Sequence, residues 1–355
     1  MKTFSTVSRL TASPQKRKLR PHFTMGSSSR HFRFFFCFIF FVPFCLSAAD
    51  HVIIIAGKGG QPEFTEKYAQ FARQLHDVLI AKQGFTAAQI TLFAESGAKL
   101  PLSSTACLAD NVRAAFERLA NTVQKNDLAA IILFGHGTFD GDWAKFNLEG
   151  PDLRDLDFAQ LLERLPAERQ IFINTTAASG PFIEKMSRQG RVVIAATRSG
   201  DEQYATVFPQ FFVEAFLKPD EADLDKNSRV SILEAFDYSR DRVVRFYESA
   251  NRLRPEHPLL DDNGDSNGSE TPAAYGNSDG QLAARTFLVA SASSAAPQPA
   301  LNPNDPLEKE KARLLAEIEN LKARKNTLPE TEYNRKIEEL FIRLAKLNRQ
   351  IKGKS

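Results

Sequence analysis

Between residues 51 and 250 the apolar positions follow two rhythms that alternate along the chain. Runs at 51–56, 90–93, 128–134, 170–174 and 191–196 are short, rich in Ile, Val and Leu, and nearly free of polar interruption. Such runs predict strands buried on both faces rather than strands with one wet side. Between them the spacing turns helical: Phe64, Tyr68, Phe71, Leu75, Val78 and Leu79 fall mostly three or four apart and predict a helix over 64–82. Further helices are expected near 107–123, 157–165, 207–217 and 230–249. Strands alternating with helices predict an α/β domain over 50–260, a mostly parallel sheet in a three-layer α/β/α arrangement.

The two ends of the chain follow other patterns. Residues 1–49 hold eight Lys and Arg, no acids, and an apolar run at 34–46 that stops in Ser47-Ala48-Ala49. The run is shorter than the roughly 20 residues a spanning helix needs, and small residues at its end suit a signal peptidase. A signal peptide over 1–49 is expected, with Met25 as an alternative start, and export to a periplasm or the exterior. Contact with a membrane is expected only through this segment, if it stays uncleaved. Its removal lowers the formal net charge of +3 by eight, so the remaining chain is acidic and carries no signature of nucleic-acid binding. Cys37 and Cys45 leave with it, and Cys107, alone, cannot form an internal disulfide.

Residues 261–306, rich in Asp, Asn, Ser, Gly, Ala and Pro, read as a low-complexity linker around a short apolar patch at 282–289. The tail at 307–352 returns to helical spacing. Tyr333, Ile337, Leu340, Leu344, Leu347 and Ile351 alternate steps of four and three, and Thr327-Leu328-Pro329-Glu330 is a helix start signal. A helical hairpin and a coiled coil that self-associates with another chain both fit this pattern.

Candidate chemistry lies where buried strands stop. The run at 128–134 ends in Gly135-His136-Gly137, which exposes an imidazole between two residues without side chains. The strand at 170–174 ends in Thr175-Thr176-Ala177-Ala178-Ser179-Gly180. The glycines at Gly57-Lys58-Gly59-Gly60 match neither the dinucleotide fingerprint nor the P-loop and read as a structural turn.

The order of these parts over about 51–250 resembles the caspase-hemoglobinase fold and, within it, the legumain-type cysteine peptidases. The resemblance rests on the first strand with its Gly-rich turn, His136-Gly137, Ser179-Gly180, and the following 192–197 run. It implies a dyad of histidine and cysteine, with backbone N–H groups near both turns holding the oxyanion. His136 matches the histidine, and Ala177, two residues before Ser179-Gly180, matches the cysteine. Alanine offers no nucleophilic atom, so acyl transfer cannot begin there. The expected function is therefore a non-catalytic, peptide- or partner-binding pseudopeptidase. The alternative is an endopeptidase-type hydrolase using Ser179 or Thr176 with His136, each displaced by one or two residues from the matching position.

One more spacing stands out. Asp223, Asp225, Asn227, Arg229 (by its backbone carbonyl), Ser231 and Glu234 fall at loop positions one, three, five, seven, nine and twelve of an EF-hand, which suggests Ca2+ and a third reading, a calcium-dependent structural or interaction module. Ser228 stands where that loop wants glycine. The second acidic run, 261–268, lacks a closing Glu and reads as solvated linker.

Overall fold

The computed structural model describes residues 50–98, 104–274, 279–290, 306–323 and 328–352. The chain divides into Met1–Cys45, all outside the described residues, and Leu46–Ser355, which holds every element below. The expected signal segment and residues 275–278 and 291–305 of the expected linker thus lie outside them. No helix of the described residues is long and apolar enough to cross a membrane.

The chain opens with β1 (His51–Ala56), α1 (Pro62–Gln83), β2 (Ile90–Ala94), β3 (Thr105–Ala106), α2 (Ala109–Thr122) and β4 (Leu128–Phe134). Three short strands follow, β5 (Gly137–Phe139), β6 (Ala144–Phe146) and β7 (Leu153–Arg154). Then come α3 (Asp155–Glu163), β8 (Arg169–Asn174), α4 (Phe182–Met186), β9 (Arg191–Ala195), α5 (Phe208–Leu217), α6 (Pro219–Ala222), α7 (Ile232–Ser249) and β10 (Leu259–Asp261). The tail forms α8 (Pro306–Ala323) and α9 (Glu330–Lys352).

Seven strands make one sheet in the order β10-β9-β8-β4-β1-β2-β3, parallel except for β10. The expected α/β class with a mostly parallel sheet is therefore what the chain adopts. β4 lies at its centre, with Ile132 opposite Ile54 of β1 and Ile173 of β8. Alternate strand residues face opposite ways. Val52, Ile54, Ile132, Ile173 and Ile194 pack with α1, α5 and α7, whereas Ile53, Ile55, Ile131, Phe172 and Val193 pack with α2, α3 and α4. Burial on both sides explains why these strands read as unbroken apolar runs.

Two expectations are corrected. The segment around Asp140, Asp142 and Trp143, expected to be a loop, belongs to the antiparallel sheet β5-β6-β7. Its strands of two or three residues are too short to show a period of two. The chain after 260 is not all solvated linker either. Asp261, Asp262 and Asp279 are buried, and Ala283, Leu288 and Ala290 join the core beside α1 and α7. Asp262 accepts the N–H groups of Gly280 (2.8 Å) and Ala283 (2.7 Å), so these carboxylates replace missing backbone partners, a role composition does not reveal.

In the tail, Leu314 and Ile318 of α8 and Leu344 and Leu347 of α9 are buried against one another, so the two helices pack within one chain.

Phe158 is fully buried, its ring 5.5 Å from Phe172, 6.2 Å from Phe146 and Phe182, and 6.4 Å from Phe116. Phe158→Ala is expected to cost about 3–5 kcal/mol in chemical denaturation. A loss below about 1 kcal/mol would show that the packing is looser than described.

Candidate functional site

The strand order reverses direction between β1 and β4, since β2 and β3 extend one way from β1 and β8 to β10 the other way from β4. In an open α/β sheet the crevice at such a switch, beyond the carboxyl ends of the strands, is where a ligand fits. Gly57 to Gly60 follow β1 there and His136 follows β4.

His136 is held from three sides. The Asn147 N–H donates to its carbonyl at 3.0 Å, and Lys58 N–H donates to Asn147 at 2.9 Å, tying the turn after β1 to β6. The imidazole Nδ1 lies 3.3 Å from the Tyr68 hydroxyl, and the Phe64 ring meets it edge to face at 4.8 Å. Burial pushes the imidazole below its ordinary value, partly offset by the Gly59 carbonyl, which favours the protonated form. Burial raises the Tyr68 phenol, keeping it a neutral hydroxyl. Both α1 residues were missed in the sequence because they read as ordinary core positions of a helix.

The Ala177 turn comes directly against this one. A Cβ on Gly137 would stand 2.3 Å from the Ala177 carbonyl oxygen and 2.5 Å from Thr176 Oγ1, so only glycine permits the approach. Ala178 takes φ +51, a left-handed conformation unusual for alanine, and its N–H donates to the Glu202 carbonyl at 2.8 Å. Glu202 is in turn held by His257, with Nδ1 2.6 Å from Oε1 and N–H 3.0 Å from Oε2. A contact between residues 55 positions apart left no local trace in the sequence.

The two hydroxyls proposed as replacement nucleophiles are fully buried and occupied elsewhere. Ser179 Oγ lies 3.1 Å from Thr197 Oγ1 and accepts the Thr197 N–H at 3.1 Å. Thr176 Oγ1 sits between Asn174 Oδ1 (2.8 Å) and the Ala177 carbonyl (3.0 Å). Among the described residues neither hydroxyl has a hydrogen bond to His136. Cys107 is buried among α2 and its neighbours, its thiol pushed up to about 11 by burial, which leaves almost no thiolate at neutral pH.

Backbone donors remain. In the turn after β8 the N–H groups of Thr176, Ala178, Ser179 and Gly180 have internal acceptors, whereas Ala177 N–H has none among the described residues. The bond from Asn147 N–H to His136 also sets the alternation of the β5–β6 ladder, which turns the Gly137 N–H away from β6. A backbone amide left without an internal acceptor at a strand end can receive a carbonyl or carboxylate oxygen.

The 223–234 loop brings three of its carboxylates together. One carboxylate oxygen each from Asp223, Asp225 and Glu234 lie within 4.8 Å of one another, and Ser228 takes φ +72, the conformation expected of the glycine position. Asn227 Oδ1 accepts the Arg229 N–H, and Ser231 caps α7 in reciprocal bonds with Glu234. Lys311 of α8 reaches in, with Nζ 2.6 Å from Asp225 Oδ2, and Asn348 of α9 donates to the Asp225 carbonyl. Burial, with Asp225 beside it, pushes the Glu234 carboxyl up to about 7. The oxygen set fits a hard divalent cation, which here would share Asp225 with an ammonium.

No family model and no curated protein matches this chain. Among solved structures the chain is similar to protein GSU0716 from Geobacter sulfurreducens, with 11% identity, a TM-score of 0.41, and coverage of 63% of this chain and 94% of that one.

His136 is expected to stay neutral at pH 7, with an NMR titration midpoint below the ordinary value near 6.5. Its contribution to stability is then complete above that unfolded value and is lost as pH falls through the lower folded one. A midpoint at or above 6.5 would contradict the buried environment described.

Proposed function

We propose that this chain is an exported, legumain-like pseudopeptidase with a three-layer caspase-type domain. In this reading it receives a peptide or partner segment at the crevice between β1 and β4 and does not cleave it. The observation that carries the reading is the pairing of the two turns: Gly137 against Ala177, backbone N–H groups available at both, and a methyl group where a nucleophile belongs. A substrate carbonyl can be held there by dipoles alone, and without a thiol or hydroxyl aimed at it no covalent intermediate forms.

The alternative hydrolase needs Ser179 or Thr176 to leave a buried hydrogen bond and turn to His136. A displacement of about 1 Å from attack geometry costs roughly 100-fold in rate, so the present arrangement disfavours it. Purified chain incubated with a peptide library is expected to yield no cleavage, with His136→Ala indistinguishable from the unaltered protein. Cleavage that disappears in His136→Ala overturns the proposal.

A second reading, a calcium-dependent interaction role, would act through the contact between Lys311 and Asp225. Calcium at the 223–234 loop would compete with that ammonium, coupling the ion to the helical tail. Millimolar calcium is then expected to raise the protease susceptibility of 306–352. Equal cleavage of the tail in calcium and in chelator contradicts the coupling.

A further inference from the structure

A second group of oxygens lies where the chain leaves β10. Asp261, Asn263, Asp265 and Asn267 place an oxygen-bearing side chain at every second position, and Asp279 arrives from beyond the run. One carboxylate oxygen each from Asp261, Asp265 and Asp279 lie within 4.8 Å of one another. Calcium binds oxygens at about 2.3–2.6 Å, so ligands across one ion stand up to roughly 5 Å apart, and a single ion can reach all three.

The state of Asp261 argues that this spacing is more than a chance cluster. The residue is 0% exposed; its Oδ1 accepts the Gly264 N–H at 3.1 Å, while Oδ2 has no hydrogen-bond partner among the described residues. The Ser187 hydroxyl favours the charged form without meeting hydrogen-bond geometry at that oxygen. Buried polar atoms are nearly always partnered, and a carboxylate oxygen can be satisfied by a metal as well as by a donor. No Lys or Arg among the described residues pairs with Asp261, Asp265 or Asp279, in contrast to Asp225 with Lys311.

We propose that Asp261, Asp265 and Asp279 form a calcium site that fastens the chain after β10 onto the domain. Asp262 is the brace and not a ligand. Its two oxygens are taken by the N–H groups of Gly280 and Ala283, and its own N–H donates to Asp279 Oδ1 at 3.1 Å, which brings Asp279 back across 17 residues. Exposed Asp265 leaves one side of the site open to water, suiting the irregular six- to eight-fold shell of calcium better than the strict octahedron of magnesium.

The test is calorimetry on the chain without residues 1–49 in an Asp225→Asn background, which silences the other acidic loop, titrated with calcium chloride after chelator treatment. One calcium per chain is expected, at least tenfold weaker in Asp265→Asn and in Asp279→Asn, with magnesium weaker than calcium. Because Asp265 is exposed, its variant keeps the fold, and the thermal midpoint without calcium is expected to match that of the parent. No heat on titration, or affinity unchanged in both variants, overturns the site. Equal affinity for magnesium overturns its assignment to calcium.

Discussion

The candidate site depends on one close approach, the backbone of Gly137 against the Ala177 carbonyl where β4 and β8 end side by side. Strands buried on both faces set the direction in which the two chains leave the sheet, and a residue without Cβ lets them touch. Beside that contact the Asn147 N–H holds the His136 carbonyl and fixes the backbone entering Gly137. The strained Ala178, braced by Glu202 and His257, belongs to the same construction. Positive φ at a non-glycine residue costs free energy and persists only where its surroundings hold it in place.

How much of this could be read from residues alone varies with the range of the interactions. The five long strands and the main helices were legible because double burial leaves an unbroken apolar run, and packing on one face leaves a helical period. His136 and Ala177 stood out because each lies where such a run stops. The neighbours that shape their chemistry were not legible. Tyr68 looks like any core residue of α1, and Glu202 meets His257 across 55 positions. The short sheet after His136 escaped notice because two or three residues cannot display a period, and the strand order, which makes the crevice, has no local signature at all.

The acidic stretches show the same limit from the other direction. Composition marks 261–268 as solvent-loving, yet Asp261 and Asp262 are buried because a carboxylate can stand in for missing partners of backbone N–H groups. In the 223–234 loop the same chemistry is met by an ammonium from α8, so two loops of similar composition present different charge environments. In one the negative charge is shared with the tail, and in the other it has no basic partner among the described residues. Composition, which counts groups without their neighbours, cannot separate them.

The proposal that the site has the geometry of a dyad without its nucleophile is tested most directly by placing a thiol at 177. Ala177→Cys in a Cys107→Ala background would be alkylated with iodoacetamide across pH, with and without His136→Ala. The account predicts a thiol that reacts well below the ordinary value near 8.5, an advantage lost with the imidazole. A thiol at 177 that stays unreactive, or follows an ordinary thiol profile whether or not His136 is present, would contradict it.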